Sequence, residues 1–105
     1  MPSGRVVSAD LHAETGARFD ELVTAFARLR APRLVAAFLR DLCTVTELDA
    51  MGQRLQVARL VADGVAYQEI SRRTGASTAT ITRVAQWLHH GTGGYSAVLR
   101  KGPRQ

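Results

Sequence analysis

From residue 18 onward the apolar positions recur every three or four residues, the period of a helix with one buried side. Phe19, Leu22, Val23 and Phe26 predict a first helix of about three turns ending near Arg30. Pro32 suits the first turn of a second helix, where its missing N–H costs nothing, and Leu34, Val35, Phe38, Leu39 and Leu42 form its stripe. Thr44 and Glu47 match a capping box and open a third helix that runs to about Asp63 and Gly64, with Gly64 as its C-terminal cap. At about 1.5 Å per residue this helix is about 27 Å long, the longest of the chain. Leu48, Met51, Leu55, Ala58 and Ala62 form its main stripe, widened by Val57, Leu60 and Val61. Gly52 breaks the propensity inside it, which predicts close approach of another backbone there.

The pattern shortens over residues 66–90, AYQEISRRTGASTATITRVAQWLHH. Two short helices joined at Gly75 account for it. Ile70 is the apolar anchor of the first, and Ser71 is the small residue four positions before the glycine, where a tight crossing needs a small side chain. Ser77 is placed to cap the second helix, whose buried stripe is Ile81, Val84, Ala85 and Leu88. Thr78, Ala79, Thr80, Thr82, Arg83 and Gln86 are left on the open face, short enough to approach base edges and phosphates. The arrangement matches a DNA-binding helix-turn-helix, the alternative being an ordinary αα-hairpin with a glycine corner. It departs from the ideal motif at Ser71, where alanine is commonest, and at Ala66, where a Ser or Thr cap is expected.

Outside these elements the signal is weak. Residues 1–17 mix Pro, Gly, Ser and charges without a period and predict a mobile arm or a frayed helix start. Gly91, Gly93 and Gly94 break the chain after the motif. A short element of unassigned type follows, with Tyr95, Val98 and Leu99 packing back on the core, and residues 102–105 form a free end. The domain is thus placed at residues 18–101.

Charge changes the picture more than composition does. The chain carries a net charge of +5, yet residues 1–66 hold eight arginines against eight acids. All the excess lies in residues 67–105, where Arg72, Arg73, Arg83, Arg100, Lys101 and Arg104 face Glu69 alone. That is the asymmetry of a phosphate-facing half. With 105 residues the core is modest. The wide aromatic stripes of the first two helices therefore predict a homodimer interface. No membrane span or signal peptide is apparent, so a cytoplasmic protein is expected. Cys43, the only cysteine, is predicted to be a buried reduced thiol.

No arrangement of carboxylates, Ser/His/Asp or Cys/His has catalytic spacing, so an enzyme is not expected. His89 and His90 are adjacent and point about 100° apart on a helix, which does not chelate a metal. No metal or cofactor is implied.

From about Phe19 to Lys101 the sequence resembles the TrpR-related proteins of the YerC/YecD type, small bacterial relatives of the tryptophan repressor. DLCTVTELDAMGQR, GVAYQEISRRTGASTATITRV and HGTGGYSAVLRK carry the resemblance. It implies an all-α, Trp repressor-like helical bundle forming an intertwined homodimer, with a helix-turn-helix head on each side docking in successive major grooves of double-stranded DNA. It also implies a ligand site in which Thr44, Arg54 and Arg83 match residues around the repressor's tryptophan. Val84 and Trp87 stand where the repressor has a glycine and a serine, and both intrude on the indole slot. Thr44 is equally explained by its cap, Arg54 by a surface salt bridge and Arg83 by phosphate contact. Tryptophan is therefore not the expected effector.

The function these features imply is sequence-specific transcription regulation by a homodimer. Ser77, Thr78, Ala79, Thr80 and Thr82 would enter the groove, while Gln68, Arg72, Arg73 and Arg83 would contact phosphates or base edges. The alternative is a protein-interaction or antitoxin-like module on the same fold, with incidental DNA binding.

Overall fold

The computed structural model describes residues 16–100, and all their regular structure is helical. The helices are α1 (Gly16–Ala27), α2 (Pro32–Leu42), α3 (Val45–Ala62), α4 (Tyr67–Thr74), α5 (Thr78–His90) and α6 (Gly94–Leu99). Contacts divide the chain at Cys43 and Thr44 into two compact units. The predicted arm, apart from its last two residues, and the predicted free end lie outside the described residues, while Gly16 and Ala17 already belong to α1.

In the first unit α1 ends at Ala27, three residues before the expected Arg30. Arg28 N and Leu29 N donate to the carbonyls of Ala25 and Phe26, a tightening of the last turn. The chain must then extend, because a residue before proline is driven out of the helical region, and Ala31 stands at φ −92°, ψ 133°. Pro32 opens α2 as the sequence predicts. Phe26 and Phe38 meet edge to face at 5.1 Å between ring centroids. Neither α1 nor α2 buries a single residue, and Phe19 is 60% exposed. Cys43, expected beneath an apolar face, is half-buried. It caps α2 in extended conformation and has left the helical stripe.

The second unit closes a core of its own. Val57, Ala58, Ile70, Ala76, Ile81 and Val84 are buried together, with Leu60, Val61, Val65, Tyr95 and Leu99 packed against them. The capping box at α3 is formed: Thr44 N donates to Glu47 Oε1 at 2.8 Å, and Glu47 N to Thr44 Oγ1 at 3.0 Å. At its other end Gly64 takes φ +80°, Gly64 N bonds Val61 O, and Val65 N reaches back to Leu60 O. These are the two hydrogen bonds of a Schellman turn, and they aim the chain into α4. The buried side of α3 sits nearer its C-terminus than the stripe predicts, at Val57 and Ala58, while Met51 and Ala62 are exposed. The close approach predicted at Gly52 is absent among the described residues, since a Cβ there would meet nothing within 4 Å. The element after Gly93 is the helix α6. Tyr95 and Leu99 pack on the core as expected, but Val98 is 65% exposed.

Candidate nucleic-acid interface

The corner between α4 and α5 is built from short local bonds. Gly75 ends α4 at φ +77°, a left-handed conformation that a side chain adopts only at a cost, and its N–H bonds Ser71 O at 2.8 Å. The Ser71 hydroxyl donates to Ala76 O at 2.8 Å. This explains the departure from alanine, because the serine adds a tie across the turn. Thr74 Oγ1 donates to Ile70 O and accepts from Ala76 N at 3.1 Å. From α3, Gln53 Nε2 donates to Thr74 O at 3.1 Å and fixes the corner to the longest helix. Ala66, as expected, caps α4 without a side-chain bond.

Ser77 caps α5 as predicted, accepting from Thr80 N at 3.1 Å. Its hydroxyl also donates to Thr80 Oγ1 at 3.1 Å. Ile81, Val84 and Ala85 bury the inner side of α5. The outer side presents Thr78, Ala79, Thr82, Arg83 and Gln86, all exposed. Thr80 differs from the other predicted contact residues: it is half-buried, and its oxygen is already shared with Ser77. The first N–H groups of a helix have no partner within it and carry partial positive charge, and Ser77 takes up that of Thr80 alone, so the capped end of α5 favours an approaching anion.

On α4 the exposed Gln68 stands in the first turn, with Arg72 and Arg73 in the last. Both arginines are held by Glu69. Arg72 Nε donates to Glu69 Oε1 at 3.0 Å and a terminal amine of Arg72 to Glu69 Oε2, while Arg73 Nε donates to the same Oε2 at 2.7 Å. The bonds from Arg72 and then Arg73 bring the Glu69 carboxyl down from its ordinary 4.5 to about 2, and the carboxylate raises Arg72 in turn. Glu69 is the residue that sequence reading missed as part of the site. The signal was available in its spacing, an acid three and four residues before two arginines.

The residues matching a ligand site are not joined by any hydrogen bond among the described residues. Thr44 is engaged in its cap, and Arg54 on α3 and Arg83 on α5 are exposed. The salt bridge predicted for Arg54 has no partner among the described residues. Val84 is 3% exposed and belongs to the core. Trp87 is 54% exposed and lines an open apolar depression of about 490 Å³ with Leu55, Tyr95 and Val98. Its ring is set against Gly91, where a Cβ would come within 2.8 Å of the indole.

The sequence profile of the Trp repressor protein family matches residues 17–102. The uncharacterized protein YerC of Bacillus subtilis is 39% identical over 84 residues, covering 80% of this chain and 81% of YerC. The crystal structure of a candidate Trp repressor from Staphylococcus aureus superimposes with a TM-score of 0.73 at 42% identity, over 79% of this chain and 83% of that one. A TrpR-like protein from Eubacterium eligens superimposes with a TM-score of 0.71 at 37% identity, over 75% and 81% of the two chains. The chain belongs to the Trp repressor family.

Proposed function

We propose that this member of the Trp repressor family is a sequence-specific DNA-binding regulator, acting as a homodimer and not controlled by tryptophan. The observation that carries the reading is the helix-turn-helix corner. Gly75, Ser71, Thr74 and Gln53 lock it, and it leaves Thr78, Ala79, Thr82 and Arg83 exposed at the capped end of α5 beside the cationic α4. In the proposed complex Ser77, Thr78, Ala79, Thr80 and Thr82 face the major groove, and Gln68, Arg72, Arg73 and Arg83 meet phosphates or base edges. Dimerisation is supported by α1 and α2, which leave Phe19, Leu22, Val23, Leu34 and Leu42 exposed. Contact between two copies would remove those side chains from water.

Selection of binding sites from a random duplex library, followed by anisotropy titration, tests the regulator reading. A preferred sequence bound far more tightly than random duplex is the expected result. Binding that is salt-sensitive and blind to sequence would end it. Loss of tryptophan control is supported by Val84, which fills core space where the repressor has a glycine. Calorimetric titration with L-tryptophan is expected to give no saturable heat, and a clear isotherm would overturn that part.

A further inference from the structure

Glu69 is the only acid in residues 67–105, and among the described residues it contacts Arg72 and Arg73. Arg72 lies across both of its carboxylate oxygens, using Nε and one terminal amine. Arg73 gives only its Nε, so both its terminal amines remain outside the pair. The three side chains carry one net positive charge in place of two. They remain wet, with 71% of the Arg72 side chain and 46% of that of Arg73 exposed. Ion pairs this exposed are weak and can be exchanged for a phosphate. Among the described residues Glu69 makes no bond to the corner that Ser71, Thr74 and Gln53 lock, so the corner does not depend on its charge.

We propose that Glu69 is a charge clamp that sets how many phosphates α4 neutralises, holding Arg72 and Arg73 to a shared carboxylate and so limiting sequence-independent affinity. The clamp rests on the DNA-binding reading and specifies its tuning. Each cation freed to neutralise a phosphate releases counterions equally on every sequence, so with Arg72 and Arg73 on phosphates, the branch of the DNA-binding reading that the clamp takes, a weaker clamp raises random-duplex binding. The carboxylate titrates at about 2 and therefore stays charged at any ordinary pH. The clamp is thus a constant of the molecule and does not act as a pH switch.

The test is Glu69→Gln, which keeps a good helix former of the same shape and removes the charge. Asp49→Asn on α3 serves as the control, lowering the acid count equally without freeing an arginine. Anisotropy titrations of the full chain with a random-sequence duplex are run between about 50 and 200 mM salt. The slope of log affinity against log salt should steepen by about 0.9 per head in Glu69→Gln, an extra loss of about 3.5-fold per head over that range. Asp49→Asn should keep the wild-type slope. An unchanged slope in Glu69→Gln, or the same steepening in both variants, overturns the clamp and leaves the DNA reading standing. Wild-type protein with no salt-dependent binding to any duplex overturns both.

Discussion

Two glycines in the second unit should respond to the same substitution with opposite sign. Gly52 lies inside α3 on an exposed face, and a Cβ there meets nothing within 4 Å. Alanine at this position recovers helix propensity worth about 0.8–1.0 kcal/mol and introduces no contact. Gly75 also has room, the nearest atom to a Cβ being Gln53 Nε2 at 3.9 Å, but its φ of +77° is the left-handed region. An L-residue there costs about 1–2 kcal/mol. Since each kcal/mol moves the Tm of a small domain by about 4–8 °C, Gly52→Ala should raise Tm by several degrees and Gly75→Ala should lower it by more. Gly75→Asn should fall between wild type and Gly75→Ala, because asparagine tolerates the conformation better. Thermal unfolding followed by circular dichroism, at one fixed protomer concentration, measures all three. A fall in Tm for Gly52→Ala would refute the claim that the position is open. No loss in Gly75→Ala would refute the assignment of the cost to backbone conformation.

Phe19→Glu and Leu42→Glu change side chains that are 60% and 50% exposed in the single chain, so they should cost a monomer little. In the proposed homodimer each buries a charge against apolar groups, and sedimentation velocity should show monomer where wild type sediments as a dimer. Ser77→Ala removes the α5 cap and should lower stability by about 1 kcal/mol in denaturant titrations. Thr80→Ala should weaken preferred-site binding more than random-duplex binding, measured by anisotropy at matched salt. The Glu69 carboxyl is depressed from 4.5 to about 2, so its contribution to stability is complete above pH 4.5 and is lost as pH falls from 4.5 through 2. Carbon-detected NMR should place its midpoint near 2 and return it toward 4.5 in an Arg72→Gln, Arg73→Gln variant.

What could be read from the sequence is what short-range chemistry decides. Thr44 with Glu47, Gly64, Gly75 and Ser77 each fix a helix end through bonds to residues within five positions, and all four stand where the pattern puts them. The buried side of α5 was legible at Ile81, Val84 and Ala85, which share one face, while Leu88, expected to complete the stripe, is only half-buried. The buried portion of α3 was not. Its apolar residues nearly encircle the helix, so periodicity cannot say that Val57 and Ala58 meet the core while Met51 stays outside. The bond from Gln53 to Thr74 spans 21 positions and has no local signal at all. Glu69 was visible as a charge and missed as a contact, since a count of charges along the chain ignores which of them share a helix face.

The two units differ in what holds them, and this bears on how the proposed regulator engages DNA. Every buried residue among those described belongs to the unit from Thr44 onward, which encloses Ile70, Ile81 and Val57 completely. The helices α1 and α2 have 12 and 11 residues and bury none. Isolated helices shorter than about 12–15 residues are marginal in water, so α1 and α2 need an apolar partner surface to persist. The helix-turn-helix needs none. Dissociation of the proposed homodimer should therefore cost the helicity of the first unit and leave the second folded, with each head keeping its own phosphate contacts and losing only its pairing with the other. Helicity would then fall with dilution by the share of α1 and α2, while the salt dependence of DNA binding would drop to that of a single head. Concentration-independent helicity would mean that the first unit is held from within its own chain.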